Sequence, residues 1–278
     1  MTANDMQWLV ISDLDGTLLN HDSYAVDEAL PAIRLLKEKQ IPIIFNTSKT
    51  WAETLSIRQA LDIHDPFIVE NGSCIYCPKI QFTDAPPTAV SRDAYWATTI
   101  GQSIGDIRAI LNSIDTPQTH YTRLSDCTID EAVSLTGLSP EQACQAVDRE
   151  FSEPLIWHKD EVALAEFKHQ LSTHKLTTLK GGRFLHVLGE CDKGLAARLL
   201  KQYYPVPVST IVLGDSPNDT AMLDMADISI IVRSPSSHLL SDLVEADIQT
   251  TAVAPAGWTE GIKKALSKTG QNQDINDE

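Results

Sequence analysis

Two short runs place acids directly after apolar segments that read as buried strands. Asp13-Leu14-Asp15-Gly16-Thr17 follows Trp8-Leu9-Val10-Ile11, and Gly214-Asp215-Ser216-Pro217-Asn218-Asp219 follows Ile211-Val212-Leu213. In an open parallel sheet, ligands bind outside the carboxyl ends of the strands, so both runs deliver carboxylates to the place where a catalytic site belongs. Gly16 lets the chain turn there without a side chain in the way. Taken alone, either run is also ordinary turn chemistry. Together they predict that Asp13, Asp15, Asp215 and Asp219 meet at adjacent strand ends. Like charges ~4 Å apart repel by about 4 kcal/mol at an effective dielectric near 20, so such a cluster calls for a cation. An all-oxygen set, with no histidine or cysteine in either run, suits Mg²⁺ better than zinc.

Two smaller elements fit the same chemistry. Ile43-Ile44-Phe45-Asn46-Thr47 reads as a strand ending in a hydroxyl, and Asp192-Lys193-Gly194 puts a lysine ahead of the helical run Leu195 to Tyr203. Singly, Thr47 reads equally well as a helix cap and Lys193 as a solvated lysine. In order with the two acidic runs, they supply the hydrogen-bond donor and the positive charge that a phosphoryl group needs as it spreads charge over its equatorial oxygens.

These four segments resemble the motifs of the haloacid dehalogenase superfamily, in order and in strand context. The resemblance implies an α/β fold: a doubly wound, mostly parallel-sheet core with an inserted α+β cap domain of the C2B type. It also implies roles. Asp13 would be the nucleophile that forms an aspartyl-phosphate, and Asp15 the general acid and base. Asp13, Asp15 and Asp215 would hold Mg²⁺, Asp219 would orient the metal's water shell or Lys193, and Thr47 and Lys193 would bind the phosphate. Further segments resemble one family within the superfamily, the mannosyl-3-phosphoglycerate phosphatases. They are Thr47-Ser48-Lys49-Thr50, Pro66 to Gly72, Ala146 to Pro154, Gly181 to His186, and Gly257-Trp258. The implied activity is hydrolysis of mannosyl-3-phosphoglycerate, or a close glycosyl-3-phosphoglycerate, to the glycosylglycerate and phosphate.

The elements that must position these residues divide the chain into a first core part at 1–85, a cap at 86–188, a second core part at 189–267 and a disordered tail at 268–278. The insert between the second and third motifs, about 100 residues from roughly Pro86 to Leu188, suffices for a small domain. Pro78, Pro86 and Pro87 mark its start as a linker. Within it, helical pattern is read over Ala94 to Leu111 and over Pro140 to Phe151, with Ser139 as the N-cap. Pro154 to Trp157 and Arg183 to Leu188 read as strands, and Gly181-Gly182 as a turn. Arg149, Glu150 and Glu153 are placed near a helix end. The guanidinium of Arg149 suits a glycerate carboxylate, and Glu153 suits sugar hydroxyls. Ser48, Lys49, Arg149, Glu153 and Arg183 are therefore the candidate substrate contacts. On a strand, Arg183 and His186 face opposite ways, and His186 reads as structural.

Composition narrows the setting. No apolar run approaches the ~20 residues needed to span a bilayer, and Met1 to Gln7 is polar without a basic segment, so neither a membrane span nor a signal peptide is expected. Five cysteines, an odd number, point to reduced thiols and a cytoplasmic enzyme. Cys74-Ile75-Tyr76-Cys77 has no second pair and reads as part of a hairpin, not a metal site. The net charge of −16 argues against nucleic acid as a partner. The expected partner is a small phosphorylated glycoside, and the oligomeric state is left open. Two other functions fit the same residues: a broader sugar-phosphate phosphatase or phosphomutase on this core, and a non-catalytic phosphosugar-binding module. Retention of every acid in both motifs speaks against the last.

Overall fold

The computed structural model describes residues 7–181 and 184–270. In chain order the elements begin with β1 (Gln7–Ser12), α1 (Leu30–Glu38), β2 (Ile43–Asn46), α2 (Trp51–Ala60), β3 (Phe67–Val69) and β4 (Cys74–Pro78). There follow β5 (Val90–Arg92), β6 (Tyr95–Thr99), α3 (Ile104–Ser113), β7 (Tyr121–Arg123), α4 (Ile129–Thr136), α5 (Pro140–Val147) and β8 (Ser152–Trp157). The chain continues through α6 (Glu161–Ser172), β9 (Leu176–Gly181), β10 (Phe184–Gly189), α7 (Lys193–Gln202) and β11 (Val208–Gly214). It closes with α8 (Thr220–Leu223), β12 (Ile228–Arg233), α9 (Ser237–Ser241), β13 (Ile248–Val253) and α10 (Ala256–Lys268).

The chain forms two compact units. The first takes in the residues up to Thr47, Asp65–Phe67, and those from Lys193 onward; the second takes in Ser48–His64 and Ile68–Asp192. In the first, β13, β12, β11, β1 and β2 lie side by side, all parallel. Leu9, Val10 and Ile11 are fully buried, which is why β1 reads as a continuous apolar run and not as an alternating one. Each such side chain contributes about 1.5–3 kcal/mol relative to leaving it in water. From β1 the chain proceeds to β2 on one flank, and β11 to β13 fill the other. The order therefore reverses at β1 and β11, and the crevice beyond their carboxyl ends is the ligand site of an open α/β sheet. The acidic runs leave these two strands.

The second unit holds two antiparallel arrangements. β4 pairs with β6 and β6 with β5, while β7, β8, β10 and β9 make a four-stranded sheet. One face of that sheet packs Leu155, Leu185 and Val187 against Ile107 and Leu111 of α3 and Phe167 and Leu171 of α6. A mixed α+β unit thus accompanies the parallel core, as the resemblance implied.

Several local expectations change. The helix read over Ala94 to Leu111 is two elements: Tyr95–Thr99 is β6, and helix starts only at Ile104 behind the N-cap Ser103, whose hydroxyl accepts from the Asp106 amide. Tyr-Trp-Ala-Thr-Thr is rich in aromatic and β-branched residues, and that preference prevails over a helical spacing that Gly101 interrupts. The helix from Pro140 stops at Val147, not Phe151, and Ser139 caps it as expected. Glu153 sits inside β8, away from a helix end. Helix α2 is capped by Thr50, not Thr47. Of the tail, Lys268 closes α10. Residues 271–278 and Arg183 lie outside the described residues. No described helix is long and apolar enough to cross a membrane.

Candidate active site

Asp13 is held by continuation of the sheet. Its N–H donates to the Leu213 carbonyl at 3.0 Å, so the ladder between β1 and β11 runs one residue beyond β1. Ser12 Oγ donates to the Asp13 carbonyl at 2.6 Å and accepts from Trp258 Nε1 of α10 at 3.0 Å. On the neighbouring strand, Asp219 folds back: its Oδ2 accepts from the amides of Asp215 at 2.9 Å and Ser216 at 3.1 Å. Gly214 makes that return possible, since a Cβ there would lie 2.5 Å from the Asp219 Cβ.

Lys193 joins the two runs. Its Nζ donates to Asp13 Oδ1 and to Asp219 Oδ1, each at 2.7 Å, and the lysine is only 1% exposed. Its own backbone is fixed, because Asn46 Nδ2 at the end of β2 donates to the Lys193 carbonyl at 2.8 Å. Thr17 Oγ1 donates to Asp215 Oδ1 at 3.2 Å. Gly16 adopts φ +77°, and a Cβ there would lie 2.6 Å from Asp215 Oδ2. A larger residue at position 16 would be strained and would fill the space beside that carboxylate. Asp15 is half-buried, and Thr47 is fully buried at the end of β2.

Carboxylate oxygens of Asp13, Asp215 and Asp219 lie within 4.8 Å of one another. Burial pushes Asp13 up to about 7, against the pull of Lys193 and with help from Asp219. Burial likewise pushes Asp215 up to about 8, assisted by Asp219 and Asp13. Burial alone would lower Lys193, yet the two carboxylates bonded to it hold its pKa above the ordinary lysine value. The donor set fits a hard divalent cation: all oxygen, buried, and reluctant to ionise without added positive charge. Asp219 has Lys193 on one oxygen and two amides on the other, so it supports the cluster while Asp13 and Asp215 are better placed to offer oxygens outward.

The remaining sequence candidates belong to the second unit. Ser48 is half-buried and Lys49 buried, with Lys49 Nζ 3.6 Å from Glu53 Oε1. Arg149 spends its donors inside the unit, on the Ser48 carbonyl at 2.6 Å and Ser152 Oγ at 2.8 Å. Glu153 accepts from Arg108 Nε at 2.7 Å and Ser125 Oγ at 2.9 Å. His186 lies on the opposite sheet face from Leu185 and Val187. Burial, with the charge of Arg149, holds its pKa down to about 3. Asn46 and Glu70 escaped sequence reading. Each is a polar residue at the end of an apolar strand, and Glu70 also lies in the Pro66 to Gly72 segment that carries the family resemblance, but neither signal gave it a role.

Fold and site together define a haloacid dehalogenase-like hydrolase acting on phosphoric monoesters. A family model of haloacid dehalogenase-like hydrolases matches residues 10–92, and one of sucrose-6F-phosphate phosphohydrolases matches residues 155–268. A glucosyl-3-phosphoglycerate/mannosyl-3-phosphoglycerate phosphatase of Methanococcoides burtonii is 36% identical over 95% of this chain and 98% of its own. A protein of the same description from Persephonella marina is 33% identical over 94% and 97%. Among solved structures, a phosphatase of the haloalkanoate superfamily from Bacteroides thetaiotaomicron shares the fold with TM-score 0.67 at 21% identity, covering 97% of each chain. The chain belongs to the glucosyl-3-phosphoglycerate/mannosyl-3-phosphoglycerate phosphatase family.

Proposed function

We propose that the chain is a Mg²⁺-dependent phosphatase of mannosyl-3-phosphoglycerate or glucosyl-3-phosphoglycerate, working through an aspartyl-phosphate on Asp13. The observation that carries this reading is the lysine bridge: Lys193 holds Asp13 and Asp219 at 2.7 Å each beside Asp215. The descriptions of the two full-length relatives supply the substrate class. Asp13, Asp15 and Asp215 would hold the metal, which when bound supplies positive charge against the phosphate and the buried carboxylates.

Asp13 Oδ2 is the oxygen to attack phosphorus, because Oδ1 is engaged by Lys193. As the P–O ester bond breaks, Asp15 gives its proton to the departing glycerate oxygen; it then takes a proton from the water that attacks the aspartyl-phosphate, releasing inorganic phosphate and restoring Asp13. Lys193 and the Thr47 hydroxyl offset charge on the phosphoryl oxygens, and Asp219 keeps Lys193 in place. Ser48, Lys49, Arg149, Glu153 and Arg183 are the assigned contacts or supports for the glycosyl-glycerate part. All five cysteines are unpaired, which supports a reducing, cytoplasmic setting.

The test is phosphate release from mannosyl- and glucosyl-3-phosphoglycerate, 3-phosphoglycerate, sucrose 6F-phosphate, hexose phosphates and an aryl phosphate, with Asp13→Asn as the blank. Expected are a strong preference for a glycosyl-3-phosphoglycerate, loss of activity on exhaustive chelation and recovery with Mg²⁺. Full turnover without metal would refute the mechanism. Equal, weak turnover of all esters would refute the substrate, and accumulation of an isomerised sugar phosphate would indicate a mutase.

A further inference from the structure

Glu70 sits in a conformation that ordinary side chains avoid. Glu70, Asn71 and Gly72 follow β3 with φ of 48°, 59° and 94°, three successive residues in the left-handed region. Only glycine enters that region without steric cost, and runs of such residues are rare. Backbone strain of this kind persists where the surroundings over-determine it, and it clusters at functional positions.

The surroundings here are specific. The turn is closed by Ser73, whose Oγ donates to the Glu70 carbonyl at 2.7 Å. The reversal aims the two ends of Glu70 at two different segments. Its backbone N–H donates to the Lys49 carbonyl at 3.0 Å. Its buried carboxyl accepts from the Glu150 amide at 2.9 Å, the Phe151 amide at 3.1 Å and Ser152 Oγ at 2.6 Å. Arg149, 3.4 Å from Glu70 Oε2, completes the link by donating to Ser152 Oγ and to the Ser48 carbonyl. Thr50 Oγ1 adds a third tie, donating to the Gln145 carbonyl at 2.9 Å. Residues 48, 49 and 50 are thus each anchored, two of them by Glu70 or by the arginine beside it.

We propose that Glu70 is the positioning residue of the Ser48–Lys49 segment: its left-handed turn and buried carboxyl, with Arg149 and Ser152, fix the peptide that presents these two side chains to the glycosyl-glycerate part of the substrate. Arg149 accordingly acts through Ser48 and does not itself pair with the substrate. This rests on the proposed function only for the identity of the substrate. The positioning itself is a property of the chain.

Glu70→Gln places an NH₂ against backbone amides or against Ser152 and Arg149, whichever way the amide turns, so it breaks the grip at nearly unchanged volume. Hydrogen exchange of peptides covering 46–53 and 176–189 is compared in wild type, Glu70→Gln, Ser152→Ala and Arg149→Lys. Expected is exchange at least tenfold faster in 46–53 of Glu70→Gln with 176–189 unchanged, and a smaller effect, about threefold, in the other two. In steady-state kinetics, kcat/KM for the glycosyl-3-phosphoglycerate should fall at least tenfold more than for an aryl phosphate, mainly through KM. Unchanged exchange in 46–53, or equal acceleration of both peptides, overturns the proposal. Should Glu70→Gln not fold, Ser152→Ala decides by the same criteria. If wild type hydrolyses no glycosyl-3-phosphoglycerate, the substrate reading fails while the exchange result still decides the positioning.

Discussion

The charge count at the site shows why it could hold a cation and how its acids would respond to pH. Asp13, Asp215 and Asp219 bring three carboxylates and Lys193 one ammonium, so full ionisation leaves two negative charges in a buried volume. A divalent cation cancels that excess. In its absence Asp13, at about 7, and Asp215, at about 8, hold their protons well above the ordinary carboxylate range and release them only around neutral pH. Both folded values are raised above the unfolded carboxylate value, so the metal-free fold binds more protons than the unfolded chain. The stability that these two groups contribute is therefore fully present below their unfolded value of 3.8 and lost as pH rises toward 8. Under the proposed function Mg²⁺ would have to displace those protons, which would make its stabilisation pH-dependent. The increment in melting temperature produced by Mg²⁺ is expected to be small at pH 5 and to grow steadily through pH 7 to 8. An increment that is constant across this range would mean that the two carboxyls are already ionised without metal. In the sequence, the acids of this cluster were legible because each follows an apolar strand. Asn46, which holds the Lys193 carbonyl, was not, since a buried amide ending a strand looks like any polar boundary until its partner 147 residues away is known.

At the scale of elements, strands that are buried on both faces announced themselves. β1, β2 and β11 are short apolar runs with turn chemistry after them, and their parallel pairing followed from that character. The second unit was harder. Tyr95–Thr99 lies beside a real helix, and a window covering both averages a strand into a helical period. The turn after β3 is signalled locally only by Asn71-Gly72; that Glu70 shares its left-handed backbone was not legible, because its carboxyl is held by residues 150–152. Elements are also fastened to one another by single side chains. Glu260 of α10 accepts from the amides of Thr251 and Ala252 at the end of β13 and from Lys264 Nζ at 2.7 Å. Its partial burial works the other way, but these bonds from Lys264, Ala252 and Thr251 bring its pKa down to about 2. Being lowered, it contributes stability that is present above the unfolded value of 4.5 and disappears as pH falls toward 2. Glu260→Gln should cost about 1 kcal/mol at pH 7 once solvent screening is allowed for, and the difference from wild type should narrow below pH 4.5. Denaturant titrations at pH 7 and pH 3.5 check this; a gap that does not shrink at all at the lower pH would assign the loss to packing and not to charge.

At the scale of the whole molecule, the chain carries a net charge of −16 while the proposed substrate bears a phosphate and a carboxylate. Long-range repulsion and short-range attraction therefore oppose each other along the approach. Lys193 and a bound cation act over a few ångströms at a buried point, whereas the excess of acids acts over the molecular surface. Salt screens the second before the first: the Debye length falls from ~30 Å at 0.01 M to ~8 Å at 0.15 M, and buried pairs are screened much less than exposed ones. Raising the ionic strength over that range, at constant free Mg²⁺, should thus increase kcat/KM for the glycosyl-3-phosphoglycerate, by about two- to fivefold, through faster encounter and lower KM with kcat little changed. An uncharged competitor of the sugar part should show no such trend in its inhibition constant. A monotonic fall of kcat/KM with salt would mean that positive potential around the site outweighs the surface charge, and would place additional basic residues on the substrate's path beyond Lys193 and Lys49.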